Sequence, residues 1–199
     1  MVRPPAATSL LSRRHFLGGA AAASLSSPLG ALAATPGEHE RWLSFRHIHT
    51  GQRIKSLYWA DGDYIPESLG EIDSFLADFR SGDVHPIDID LLNLLHRLRR
   101  KMDSDRPFHV ISAYRSPATN AALLAKGRGV RKNSLHLRGM AIDIRLPGRD
   151  TGALWHAAIS ERRGGTGFYP KYNFVHVDVG PHWHWCKPSR CDGGKPQPG

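Results

Sequence analysis

The chain has 199 residues, 40% of them hydrophobic and 23% charged, which leaves room for one globular domain with a proper core and not for two. Its formal net charge of +9 suits an anionic partner such as cell wall or a lipid surface. Nucleic acid, the other usual partner of a basic protein, is disfavoured because no recognition motif appears.

The N-terminus does not read as part of the domain. Ser12-Arg13-Arg14-His15-Phe16-Leu17 leads into a weakly apolar run of Gly, Ala, Leu and Ser that ends in Ala31-Leu32-Ala33, a small-x-small cleavage pattern. An arginine pair, a modest apolar segment and an Ala-x-Ala end predict a twin-arginine signal peptide over residues 1–33, and hence a periplasmic protein. The run is too short and too rich in Gly and Ala to span a bilayer, so no stable membrane insertion is expected after cleavage. Cleavage after Ala33 removes Arg3, Arg13 and Arg14 and no acid, leaving a mature net charge of +6. The twin-arginine route carries folded proteins, which hints at a cofactor acquired before export.

Residues 34–50 read as a polar lead-in, with His39, His47 and His49 as solvated surface. The folded domain is expected over 51–186, followed by a Gly/Pro-rich tail over 187–199. Ile54–Trp59 has strand character, and Asp61-Gly62-Asp63 makes a turn after it. Ser68-Leu69-Gly70-Glu71 has the form of a capping box opening a helix, with Leu69, Ile72, Phe75, Leu76 and Phe79 on one face and Ser81-Gly82-Asp83 as its end. A second helix is predicted at about 88–102, where Leu91, Leu94, Leu95, Leu98 and Met102 recur at helical spacing. Arg97, Arg99, Arg100 and Lys101 gather at its C-terminal end, where cations complement the helix dipole.

Phe108–Ala113 reads as a strand, and Ser116-Pro117 opens a short helix through Lys126 that Gly127 stops. Ala141–Ile144 is a short buried strand, Asp150 caps a helix over 151–160, and Gly164–Pro170 reads as a glycine-rich turn between strands. It lacks the preceding strand and following helix that a phosphate loop needs. Asn173–Val179 is a strand. Cys186 and Cys191 are the only cysteines, and in an oxidising compartment a disulfide between them is the expected pairing. No regular βαβ alternation appears, so the predicted fold is α+β: a small antiparallel sheet with helices packed on one side.

The chemistry is concentrated in Ser134–Ile144. His136 and Asp143 are too far apart in sequence for one helical face, but Gly139 between them lets the chain turn back. A loop histidine and a strand carboxylate then converge as the first two ligands of a divalent metal would; otherwise they are a surface histidine and a strand aspartate that never meet. In the strand at 174–179, Val175, Val177 and Val179 share one face, while His176 and Asp178 share the other. His176 either completes the group, giving two imidazoles and a carboxylate with an open fourth position as in catalytic zinc sites, or is an exposed strand histidine.

Ser134-x-His136-x-x-Gly139-x-Ala141-x-Asp143-Ile144, Gly167-Phe168-Tyr169-Pro170 and Phe174-Val175-His176-Val177-Asp178-Val179-Gly180 closely resemble the zinc peptidases of the D-Ala-D-Ala carboxypeptidase group, nearest to the murein endopeptidase K type. Ser112-Ala113-Tyr114-Arg115-Ser116-Pro117 is similar to that family's arginine-bearing turn, and the likeness runs from about residue 40 to 186. The resemblance implies Zn2+ held by His136, Asp143 and His176, with Arg115 stabilising the charge that develops on a substrate oxygen. It also implies attack of zinc-activated water on a peptide carbonyl. Many members of the wider group carry Glu or Asp three residues before the last histidine ligand, where this chain has Asn173. An amide cannot abstract a proton, so Asp178, His182 and His184 remain as candidates for the base, Asp178 equally as an orienter of His176.

The activity so implied is hydrolysis of peptide cross-links in peptidoglycan, with the peptide stems as substrate. A carboxypeptidase trimming a terminal D-alanine and a non-catalytic wall-binding module are the alternatives.

Overall fold

The computed structural model describes residues 39–187. The expected signal peptide, Cys191 and all but Lys187 of the expected tail lie outside the described residues. Two strands come first, β1 (Glu40–His47) and β2 (Arg53–Ala60), then the short β3 (Asp63–Tyr64) and helices α1 (Pro66–Phe75) and α2 (Ile89–Lys101). Next are β4 (Phe108–Ser112), α3 (Pro117–Ala125), a 3-10 turn at Leu135–Arg138 and β5 (Ala141–Arg145). The chain closes with α4 (Thr151–Ser160), β6 (Gly165–Tyr169), a 3-10 turn at Pro170–Tyr172, β7 (Phe174–Asp178) and β8 (Trp183–Cys186).

The α+β class agrees with expectation, but the sheet is neither small nor purely antiparallel. It has eight strands in the order β3-β2-β1-β4-β5-β7-β6-β8, and the β1–β4 and β6–β8 pairs are parallel. Three segments account for the difference. The supposed lead-in contains β1, whose Leu43 and Phe45 are fully buried. His47 is buried too, its Nδ1 accepting from the backbone N–H groups of His49 and Thr50 at 3.3 Å, while His49 stacks on Phe79. The glycine-rich stretch is not a turn but β6. Glycine is poor in strands for want of a side chain to pack, yet a Cβ at Gly167 would overlap the indole of Trp185. The third is β8, paired parallel to β6.

The helices follow their local signals with one exception. Asp88, Ser116 and Asp150 cap α2, α3 and α4, each side chain accepting a backbone N–H from the first turn. Helix α1 instead begins at Pro66, whose fixed φ suits the first helical position, and no capping box forms at Ser68. It also ends at Phe75, so Phe79 packs on His47 and His49 from a loop.

Helix α1 lies against β2, α2 against β1, α4 against β6 and β7, and α2 touches α4. Leu91, Leu94, Leu95 and Leu98 of α2 join Phe45, Phe108, Val110, Ile142, Ile144, Val175 and Val177 in one apolar cluster with Leu154 and Trp155 of α4. The basic end of α2 is partly paired: Arg97 and Lys101 reach Glu161 at 2.8 and 3.0 Å. Among the described residues no helix is long and apolar enough to cross a membrane.

Candidate metal centre

Strand alternation sends the other face of the sheet to a different task. Ile142 and Ile144 of β5 point into the core, so Asp143 points away from it. Asp143 lies opposite His176 of β7, and His176 opposite Gly167 of β6. A bulge in β4 at Ile111 then sets Ser112 against Asp143, although Val110 faces Ile144. One extra residue thereby turns the end of β4, and the loop after it, toward Asp143.

His136 arrives from the 3-10 turn, which Ser134 opens by accepting the His136 N–H. The turn is stopped by Gly139 at φ 66°, where a Cβ would overlap the carbonyl oxygen of Pro86. This reversal delivers the chain into β5. Two hydrogen bonds fasten it to the loop after β4: His136 Nδ1 donates to the Ala113 carbonyl at 2.6 Å, and the Arg115 N–H donates to the His136 carbonyl at 3.1 Å.

His136, Asp143 and His176 come together with one potential ligand atom each, all within 4.8 Å of one another. His136 Nε2 is 3.3 Å from His176 Nδ1 and 3.5 Å from Asp143 Oδ1, and His176 Nδ1 is 2.8 Å from that oxygen. A tetrahedral zinc ion with bonds of about 2.0–2.1 Å spaces its ligand atoms by roughly 3.3 Å, so the three are already near that spacing. The tautomers suit a cation as well. The Ala113 carbonyl can only accept, so His136 carries its hydrogen on Nδ1 and keeps Nε2 as a lone pair. Asp178 Oδ2, 3.1 Å from His176 Nε2, accepts a hydrogen there, so that a metal could take Nδ1 once the proton on that nitrogen is displaced. His176 Nδ1 and Asp143 Oδ1 also lie within hydrogen-bond distance of each other, so a cation here would take the place of the proton shared between them. The donor set fits zinc.

Burial holds His136 below the ordinary imidazole pKa and so keeps its ring neutral. Burial also opposes charge on His176, but the carboxylates of Asp143 and Asp178 at its two nitrogens outweigh that and push it up to about 9. Asp143 is held well below the usual carboxylate range: burial works the other way, and the two imidazoles outweigh it. A metal at this place therefore competes with the proton of His176.

Asp178 is fully engaged. Its Oδ1 accepts the N–H groups of Gly165 and Gly180 at 2.7 and 2.8 Å, and its Oδ2 faces the ring nitrogen of His176 turned away from Asp143. That geometry orients His176. Arg115 is buried beside the group, donating from Nη1 to Asn120 Oδ1 at 3.2 Å and from Nη2 to Ser112 Oγ at 3.4 Å. Its Nε has no partner among the described residues.

His184 and His182 are not brought to the cluster. His184 lies opposite Thr166, on the face of β6 turned toward α4, with its ring centroid 6.5 Å from that of Trp155. Trp185, next in β8, takes the cluster's face instead, and its ring centroid is 5.2 Å from that of His176. His182 is exposed. Asn173 has a conformational role: at φ 52° it ends the second 3-10 turn in the left-handed region, which asparagine tolerates better than most residues. It also accepts a hydrogen bond from Thr151. The sequence leaves the aromatics of Pro181–Trp185 either lining a cleft or closing the core, and assigns Tyr169 no role; Trp185 faces the cluster and its Nε1 donates to Tyr169 Oη at 3.1 Å. Their one visible signal was Gly167, the gap that the indole fills.

The chain matches, over residues 35–185, the protein family described as peptidoglycan L,D-endopeptidase MepK. A protein of Escherichia coli (strain K12) named peptidoglycan L,D-endopeptidase MepK is 40% identical over 171 residues, covering 85% of this chain and 93% of that relative. A Shigella flexneri protein of the same name aligns to the same extent. A Haemophilus influenzae protein named probable peptidoglycan L,D-endopeptidase MepK is 36% identical over 170 residues, covering 85% of this chain and 91% of that relative. No solved structure matches the chain.

Proposed function

Because the chain belongs to the peptidoglycan L,D-endopeptidase MepK family, we propose that it is an exported, zinc-dependent endopeptidase of peptidoglycan, cutting peptide cross-links where an L-configured centre is joined to a D-configured one. The observation that carries this reading is the convergence of His136, Asp143 and His176, with Arg115 fastened to the same loop. When bound, zinc supplies Lewis acidity that lowers the pKa of water from about 15.7 to ~7 and polarises a carbonyl.

The chain's own groups do the rest. His136 presents a lone pair because the Ala113 carbonyl holds its hydrogen on Nδ1, and His176 would present one once its Nδ1 proton is displaced while Asp178 keeps the hydrogen on Nε2. Asp143 brings the negative charge that favours a divalent ion. Arg115 offers the Nε donor left unused in the buried site to an oxygen of the substrate, where such donors contribute roughly 10²–10³ in rate. In this reading Asp178 fixes the His176 tautomer instead of acting as the base. Arg13 and Arg14 direct export to the periplasm, and a Cys186–Cys191 bridge closes the end of β8.

Cross-linked muropeptide dimers incubated with the purified, zinc-loaded mature protein test the proposal. Conversion of dimers to monomers is the expected outcome, and release of terminal D-alanine alone would replace it with a carboxypeptidase. A second reading, a wall-binding module without turnover, is favoured by Asn173 standing where many members of the wider peptidase group carry an acid, and by the engagement of both Asp178 oxygens. Binding to sacculi with dimers left intact would establish it.

A further inference from the structure

We propose that the Tyr169 hydroxyl is a further catalytic group, donating a hydrogen bond to the carbonyl oxygen of the scissile amide from the side of the centre formed by β6. The assignment rests on the peptidase reading above and deepens it.

The strand register places the hydroxyl. Gly167 lies opposite His176 and Tyr169 opposite Phe174 in the β6–β7 ladder. Residues two apart share a face, so Tyr169 stands on the same face as His176 and Asp143. Diagonal neighbours on one face are about 7–8 Å apart, within reach of an aromatic side chain. What brings the phenol inward is the glycine between them. With no side chain at Gly167, the indole of Trp185 lies directly over its backbone, and Nε1 is among the three indole atoms nearest the position a Cβ would take. Nε1 donates to Tyr169 Oη at 3.1 Å, so the hydroxyl is drawn toward this row by an indole whose ring centroid is 5.2 Å from that of His176. Phe174 stacks on the phenol at 4.5 Å and holds its plane.

The hydrogen bond also sets polarity. An indole N–H only donates, so Tyr169 Oη must accept and its own hydrogen is left to give. Among the described residues that hydrogen finds no acceptor, although the side chain is half-buried and its neighbours are ordered by packing. Burial raises the phenol pKa, as does the charge of Asp143, so the group keeps its proton. A neutral donor held this way matches an oxygen that gains negative charge as the amide is attacked, and no proton need leave the phenol. Arg115, carried by the loop after β4, comes from the β4 side of the same row. The two donors would flank one oxygen.

Tyr169→Phe in the zinc-loaded mature protein tests this, read as kcat and KM on cross-linked muropeptide dimers with zinc content measured on the same samples. The expected result is a fall in kcat of about 10²-fold, with KM within a factor of two and one zinc retained per chain. Trp185→Phe, which keeps an aromatic ring over Gly167 but removes the N–H, should lower kcat by a smaller factor. A Tyr169→Phe enzyme with wild-type kcat overturns the assignment, and so does a loss confined to KM or one explained by missing zinc. Wild-type protein that leaves the dimers intact overturns the peptidase reading together with it, whereas an active wild type matched by an equally active Tyr169→Phe overturns the role of Tyr169 alone.

Discussion

The two faces of the sheet answer to different rules although the same strands build both. On the helix-covered face, Ile142, Ile144, Val175 and Val177 share one apolar cluster with α2 and α4, and another apolar side chain of similar volume would serve. On the other face, Asp143, His176 and Asp178 occupy the alternate positions of the same two strands, and there every polar side-chain atom of His176 and Asp178 has a specified partner. Stability is spread over many contacts on the first face. On the second, chemistry is concentrated in a few atoms. Substitutions should therefore separate fold from activity according to which way a side chain points.

Asp143→Ala breaks the second face most completely. Zinc should be absent by metal analysis and cleavage of muropeptide dimers abolished, while circular dichroism stays that of the folded protein; equal zinc in variant and wild type would sink the site. Leu95→Ala, in the core beneath the sheet, should do the reverse. It should lower unfolding free energy by about 2–5 kcal/mol in denaturant titration and leave zinc stoichiometry intact. Asp178→Asn keeps the shape but loses the charge that holds the His176 tautomer, and should weaken zinc affinity or activity by roughly 10–100-fold.

Glu161→Gln is a smaller test, confined to the helices. Burial favours the protonated acid, but Lys101 and Arg97 outweigh it and lower the Glu161 pKa. Its contribution, about 1 kcal/mol or less, is present above the unfolded carboxylate pKa of about 4.3 and is lost as pH falls toward the lower folded value. Unfolding midpoints should thus depend less on pH below about 4.5 in the variant than in the wild type. The smallest effect is expected from His184→Gln, which points toward α4: kcat should stay within a factor of two. A loss as large as that of Asp178→Asn would mean that the two faces are not separable.

Much of this division is legible in the sequence because it follows local periodicity. Helices at 89–101 and 151–160 announce themselves by caps and spacing, and the Val175/Val177 against His176/Asp178 alternation places two functional groups on one side. Other features depend on contacts that spacing does not encode. Strand β1 alternates Leu43, Phe45 and His47 with polar residues, and the histidine disguised a buried position as a wet one. In β8 the alternation of His184 and Trp185 was visible, but the choice of which one faces the cluster came from the empty space over Gly167. The bulge at Ile111 leaves no mark in the strand's composition, yet it decides where Arg115 goes.

The pair of hydrogen bonds between the loop after β4 and the His136 turn has a mechanical meaning as well. Residues 113–115 and His136 form a yoke: a pull on the guanidinium of Arg115 travels through one short stretch of backbone to the carbonyl of His136, while the ring of the same histidine is anchored to Ala113. If Arg115 holds the substrate as proposed, a load on it would be passed to His136 through this hydrogen bond. Arg115 and this side of the centre would then move as one body, which would keep their spacing.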